Sequence, residues 1–290
     1  MPKDWHILFF VGSSTVNLGS STLSSAISTF NSVNSEAFII WYNYSMTELL
    51  YLANFDVEDC ESKIVSVDML DNGQIDIVLD KTCFYPRGGG QDWDKGTLTN
   101  ETMSFNVDEV RLDEDGDVHH IGIPRSGVFS AGDSVSGKVN PERRAINTRL
   151  HSAGHIIDMA VDSLGLDWIA TKGQHYPELS AVEYRGTWEP ERSEDLKSSI
   201  ENKANEFISR GTENTLKFMP VDEMHTVCRH VPENIPKNKP GRVVIYGDDF
   251  GIPCGGTHVK NLEQIGSITV PKLKEKKGVI RVNYTVEGIN

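Results

Sequence analysis

Between residues 62 and 139, apolar positions come in short alternating runs broken by turn residues. The runs are residues 64–67, 75–79, 104–110, 118–123 and 135–139, and Asp71-Asn72-Gly73 separates the first two. A period of two predicts strands. Asn-Gly between two such runs predicts a hairpin with positive φ at both turn positions. Several short strands at this spacing predict a small β-barrel. At Asn140 the period changes. Asn140-Pro141-Glu142 offers an N-cap, a first-turn proline and an acidic residue at the positive end of a helix. Ile146, Leu150, Ala153, Ile157, Ala160, Val161 and Leu164 then recur at three and four until Gly165, which predicts a core-facing helix. A second helix is expected from a Ser193 cap through Leu196, Ile200, Phe207 and Ile208 to Gly211, with strands at residues 243–246, 267–270 and 279–286. The expected class is α+β, a small N-terminal β-barrel followed by an α+β domain.

Residues 1–45 differ from the rest of the chain. They hold 13 Ser or Thr, and Lys3, Asp4 and Glu36 are their charged residues. The short apolar islands at residues 7–11 and 37–42 do not make a secretory leader with a basic flank, and without Arg the stretch does not read as a transit peptide. We expect a disordered or misassigned extension over residues 1–45, with regular structure, and the true translation start, from Met46. The expected units are then a barrel over residues 46–140 and a second domain over 141–290.

The 290 residues give room for two cores. The formal charge of −14 argues at first against a nucleic-acid partner. The acid is concentrated in residues 1–140, with 8 Lys+Arg against 21 Asp+Glu, whereas residues 141–290 carry 20 against 21. In the second half Lys272, Lys274, Lys276, Lys277 and Arg281 fall within ten residues, and Arg143, Arg144 and Arg149 within seven. Local cationic faces of this kind can hold RNA phosphates whatever the total charge. Cys60, Cys83, Cys228 and Cys254 are too widely spaced for a disulfide scaffold and suggest a reducing compartment, the cytoplasm. No apolar run approaches the roughly 18 residues of a membrane helix, and nothing in the chain signals a stable protein partner.

His151 and His155 lie four apart on the first helix, so both imidazoles share one face. Alone this is weak. Cys254-Gly255-Gly256-Thr257-His258 adds a thiol and an imidazole around a glycine pair that lets both face one point. Three His and one Cys make a mixed set suited to Zn2+. Ser152 stands where zinc proteases of the His-Glu-x-x-His type carry their general base, so peptidase chemistry is not expected.

Arg149–His155 (RLHSAGH) and Pro253–Gly266 (PCGGTHVKNLEQIG) resemble the two zinc motifs of the alanyl-tRNA synthetase editing domain and of its stand-alone relatives, the AlaX proteins. Tyr85–Gln91 (YPRGGGQ) resembles the glycine-rich motif of the longer AlaX class. The resemblance runs from about Met46 to the C-terminus. It implies the editing fold shared by the threonyl- and alanyl-tRNA synthetases, and zinc-dependent hydrolysis of the ester joining a wrong amino acid to alanine tRNA. The mischarged group would be serine, with glycine a further possibility. Too few residues precede Met46 for an aminoacylation domain, so the expected substrate is tRNA charged elsewhere. Within this resemblance Arg87, Gly88, Gly89, Gly90, Gln91, Thr171 and Thr257 are candidates for substrate contact, and Arg143, Arg144, Lys272, Lys274, Lys276 and Lys277 for tRNA contact. Two positions depart from the synthetase pattern: Gly154 stands where those domains often carry Thr, and Thr171 where they commonly carry Gln.

Editing of this kind has a physical motive. An apolar pocket built for alanine cannot strongly reject serine, so a second site must demand the hydroxyl through a polar group left unpaired when alanine enters. Four protein ligands would close a tetrahedral zinc shell, which is the structural arrangement, so catalysis needs an expanded shell or a ligand that stays off. Two alternatives stay open from sequence: a non-catalytic tRNA-binding module braced by zinc, and a zinc hydrolase of a small ester or amide.

Overall fold

In the computed structural model the described residues are 7–11, 14–18, 39–41, 46–247 and 250–289. Two compact units divide at Met46 and Thr47. In the first, β1 (Ile7–Val11), β2 (Ser14–Leu18) and β3 (Ile39–Trp41) form an antiparallel sheet in the order β2-β1-β3. Most of the stretch expected to be a disordered or misassigned extension lies outside the described residues.

The second unit opens with β4 (Glu48–Leu49), β5 (Asp59–Met69), β6 (Ile75–Leu79), β7 (Lys81–Thr82), β8 (Gly96–Thr99), β9 (Ser104–Leu112), β10 (Val118–Ser126) and β11 (Ser134–Val139). Six of these close into an antiparallel barrel in the order β10-β6-β5-β11-β8-β9, as the alternating runs predicted. Its interior is Ile77, Leu79, Phe84, Leu98, Phe105, Val110 and Val118, all buried. The Asp71-Asn72-Gly73 turn differs from expectation, because only Gly73 has positive φ, at 81°. A wider loop closed by Leu70 N–H to Gln74 O, 2.9 Å, relieves Asn72 of the left-handed conformation. The hairpin with two positive φ values is instead at Lys277 (56°) and Gly278 (77°).

Helix α1 (Pro141–Ser163) begins where the proline and cap placed it, with the Asn140 side chain accepting from Arg143 N at 2.9 Å. It is followed by β12 (Ile169–Tyr176), β13 (Leu179–Arg185), α2 (Ser193–Ser209), β14 (Thr215–Met219), β15 (Gly241–Tyr246), β16 (Phe250–Pro253), β17 (Ile268–Lys276) and β18 (Val279–Val286). Ser193 is not the cap of α2: a 3₁₀ turn over Pro190–Arg192 feeds the helix directly, and Ser193 already has helical φ and ψ of −58° and −41°. The four-stranded sheet, in the order β12-β13-β18-β17, carries α1 across β12, β13 and β18 and α2 against β17. The predicted stripe of α1 is buried at Leu150, Ala153, Ile157, Ala160 and Val161 against Trp168, Tyr184, Val282 and Tyr284. Among the described residues no helix is long and apolar enough to cross a membrane.

The barrel and the α+β part lie within one compact unit, Thr47–Asn290, and meet at the start of α1. Arg144 is 4% exposed and forms an ion pair with Asp94, while its guanidinium also donates to Val57 O at 2.7 Å and Cys83 O at 2.6 Å. Arg143 donates to Trp93 O at 2.8 Å and pairs with Asp92. Arg144 was expected on a tRNA-facing cluster. Its charge is spent on a buried carboxylate, and its place is between the barrel and α1. An unpaired charge there would cost several kcal/mol, which is why Asp94 accompanies it.

Candidate metal centre

Helix α1 brings His151 and His155 to one face, and the loop after β16 brings Cys254 and His258 to meet them. One ligand atom from each of the four residues lies within 4.8 Å of the others, so the group could hold one metal ion. Three observations fit that use. The Nε2 atoms of His155 and His258 are buried and have no hydrogen-bond partner among the described residues. His151 Nδ1 lies 2.7 Å from Gln91 Oε1, an acceptor, so Nδ1 carries the hydrogen and Nε2 presents its lone pair to Cys254 Sγ 3.4 Å away. His258 Nδ1 lies 2.8 Å from the Tyr246 hydroxyl, which leaves its Nε2 for the same point. Metal-bound imidazoles are held in this way through their second nitrogen.

The electrostatics agree. Burial holds His151 and His258 well below the usual imidazole range and His155 down to about 3, so all three are neutral and carry lone pairs. Burial pushes the Cys254 thiol up, so it gives up its proton only to a compensating cation. Gly256 N–H points at Cys254 Sγ from 3.3 Å. Arg242, 8% exposed on β15, donates from Nη1 to Cys254 O (2.7 Å) and Gly256 O (2.9 Å), and from Nε to Leu52 O (2.8 Å). One guanidinium thus fixes both ends of the Cys-Gly-Gly turn.

The glycine-rich loop supplies the other wall. Gly88 and Gln91 exchange backbone hydrogen bonds at 3.2 and 2.8 Å, which closes the loop and drives the Gln91 side chain inward. Gln91 is fully buried and wholly engaged: Oε1 accepts from His151 Nδ1 and from Thr257 N (3.1 Å), and Nε2 donates to Thr257 Oγ1 (2.9 Å). Thr257, 4% exposed, also meets Thr148 Oγ1 at 2.7 Å. Gln91 and Thr257, expected among the substrate contacts, therefore stand behind His151 and orient it. Arg87 lies over Trp93 and Tyr176, its guanidinium 5.3 and 6.0 Å from the ring centroids. Thr171 is exposed and donates to Glu183 O at 3.1 Å.

A cavity of about 970 Å³ opens onto the centre and is lined by Gly89, Gly90, His151, His155, Thr171 and Cys254, among others. One of its residues was missed in the sequence. His175 on β12 stacks on His151, with centroids 4.6 Å apart and planes within 17°. Sequence reading grouped histidines by spacing along one element, and His175 reaches the site from another. Gly154 is the signal that it left. A Cβ at position 154 would overlap the His175 ring, at 2.6 Å from Nδ1, so glycine stands there because an imidazole occupies the space.

A model of class II (A) tRNA synthetases matches residues 14–143, and a model of the second additional domain of threonyl and alanyl tRNA synthetases matches residues 242–283. The alanyl-tRNA editing protein AlaX-M of Saccharolobus solfataricus is 34% identical over 249 residues, covering 83% of this chain and 100% of that protein. The chain belongs to the AlaX family. The AlaX-L protein of Pyrococcus horikoshii is 28% identical over 248 residues, 58% of its length, and the alanine–tRNA ligase of Methanothrix thermoacetophila is 34% identical over 215 residues, 23% of its length. In AlaX terms, the first synthetase model spans the barrel and the start of α1, and the second spans β15 to β18, which includes the Cys254 and His258 loop.

Proposed function

We propose that this chain is a zinc-dependent trans-editing deacylase that hydrolyses the ester between alanine tRNA and a wrongly attached amino acid. The observation that carries the reading is the cavity opening directly onto His151, His155 and Cys254, whose volume of about 970 Å³ exceeds the need of one amino acid and leaves room for part of a terminal nucleoside. The three-His, one-Cys set suits Zn2+ better than a hard cation. Zinc, when bound, supplies Lewis acidity toward the ester carbonyl and toward water. The chain's own residues hold the imidazoles neutral and correctly turned, through Gln91 and Tyr246, and Gly89 and Gly90 line one side of the cavity. The four reduced cysteines suit a protein of the cytoplasm.

Recognition of the tRNA body falls to the basic face of β17. Lys272, Lys274 and Lys276 alternate along the strand and are all exposed, so they project from one side of the sheet at about 7 Å intervals. Lys277 extends the row into the hairpin turn. β17 lies three strands from β12 and the cavity, about 14 Å across the sheet. That offset suits an acceptor stem on the lysines with its 3′ end in the cavity. Arg87, over the Trp93 and Tyr176 rings, adds a cation beside the glycine loop.

The decisive measurement is release of amino acid from separately prepared seryl-, glycyl- and alanyl-tRNA, with and without chelator. Release of serine, abolished by chelator and by Cys254→Ala, is the expected result. A protein that binds tRNA without releasing any amino acid would be a binding module, and one that cleaves simple esters equally well with the β17 lysines neutralised would be a small-molecule hydrolase.

A further inference from the structure

The edge of His175 is the best-prepared polar position in the cavity that the metal set does not use. Its Nδ1 lies 2.6 Å from the Tyr284 hydroxyl, and that hydroxyl donates to Leu150 O at 2.8 Å. A carbonyl can only accept, so the tyrosine hydrogen is committed to Leu150 and Nδ1 must donate to the tyrosine oxygen. The tautomer follows: Nε2 presents a lone pair. Among the described residues no group is hydrogen-bonded to that atom, and His175, otherwise largely buried, borders the cavity.

Three glycines from three different elements surround this ring. A Cβ on Gly154 would overlap Cε1, a Cβ on Gly90 would lie 3.2 Å from Cδ2, and a Cβ on Gly173 would overlap Nε2 itself. The last is the telling one. The space beside Nε2 exists because residue 173 has no side chain, and Gly173, Gly90, Gly154 and His175 all line the cavity next to His151. Backbone ties hold the arrangement, with His175 N donating to Gly90 O at 2.9 Å. An acceptor of fixed tautomer, a vacant approach to it and a metal ligand stacked on its face form a socket for one small donor.

We propose that His175 Nε2 accepts the hydrogen of the side-chain hydroxyl of the mischarged amino acid, making His175 the residue that demands serine. This rests on the deacylase reading above. It selects serine over glycine as the edited residue. When alanine or glycine enters, the bound substrate keeps water from Nε2 without supplying a donor, which leaves the unpaired polar group that selectivity by requirement needs. Gln91 and Thr257 cannot fill that role, because their polar atoms are satisfied by His151 and by each other.

The test uses amide-linked analogues, 3′-amino-3′-deoxyadenosine carrying L-serine, glycine or L-2-aminobutyrate, whose binding to the zinc-loaded protein is measured directly. The 2-aminobutyryl group replaces the serine hydroxyl by a methyl of similar size. Wild-type protein should bind the seryl analogue about ten- to a hundredfold more tightly than the 2-aminobutyryl one. His175→Phe, which keeps the stack on His151 and removes both nitrogens, should collapse that ratio toward one with zinc content unchanged, and His175→Gln, which can place an amide oxygen near Nε2, should restore part of it. Seryl-to-glycyl ratios in tRNA deacylation should move in parallel. Equal wild-type binding of the seryl and 2-aminobutyryl analogues overturns the inference, whatever the variants do. Loss of zinc in both His175 variants would make His175 a ligand, and an unaltered seryl preference in His175→Phe would make it packing; either outcome also overturns it. If no aminoacyl-tRNA is cleaved, the deacylase reading fails separately.

Discussion

Gln91 Oε1 stands 2.7 Å from His151 Nδ1, although the two residues are 60 positions apart, one in the glycine loop and the other on α1. The glycine loop thus contributes the group that turns a candidate metal ligand on α1, and both halves of the Thr47–Asn290 unit build one centre.

Removing that group should loosen the metal. Second-layer partners of zinc-bound imidazoles are worth about ten- to a hundredfold in affinity. Gln91→Ala is expected to weaken zinc binding by that factor in competition with a chromogenic chelator, and Gln91→Glu, which retains an acceptor for Nδ1, to weaken it less. Equal zinc affinity in Gln91→Ala and wild type would refute the orienting role.

A methyl at position 154 should destabilise the fold even though it sits in a helix. Alanine is favoured over glycine there by about 1 kcal/mol. The new Cβ, however, overlaps a buried ring confined by His151 and Gly173, and overpacking costs about 1 to 3 kcal/mol. Gly154→Ala should therefore lower the melting temperature, while His175→Ala should make the same substitution tolerable. A thermal double-mutant cycle with no coupling between positions 154 and 175 would contradict the packing.

Acid should weaken the metal-free protein. Burial holds His120, in the barrel, to about 4 and His155 to about 3, against an ordinary 6.5. Below 6.5 the unfolded chain takes up protons at these positions that the fold refuses, so stability falls with pH from there to about 3. Each group contributes at most about 1.4 kcal/mol per pH unit. Urea midpoints of chelator-treated protein should decline across that window, and a flat profile would count against buried neutral imidazoles. Metal affinity should rise with pH over the same range and beyond it, since Cys254 must lose a proton to bind.

Neutralising Lys272, Lys274 and Lys276 should reduce tRNA affinity in a salt-dependent way. Each lost phosphate contact lowers the slope of log affinity against log salt by about 0.7 to 0.9. An unchanged slope in the triple alanine variant would move the RNA to another face.

Much of this centre was legible in the sequence because its parts repeat at short intervals. Asn140-Pro141 fixes the start of α1, so the phase of His151 and His155 follows from counting, and Cys254 and His258 are four apart in one loop. The barrel strands show by alternation. Other features arise from contacts that no local pattern carries. Strands β12 and β13 went unread because β12 (IATKGQHY) does not alternate cleanly and its register with β13 shifts between Ala170 and Lys172. Arg144 read as surface charge because Asp94, its partner, lies 50 residues away in the chain. His175 was missed for the same reason, since the ring it stacks on is 24 positions earlier.

The glycine cradle also constrains how this sequence can change. A Cβ at position 154 or 173 collides with the imidazole while residue 175 is histidine, so these three positions cannot be enlarged independently of one another. The room for the ring is shared by α1, β12 and the glycine loop, and a larger group on any one of them must be matched by a smaller one at position 175.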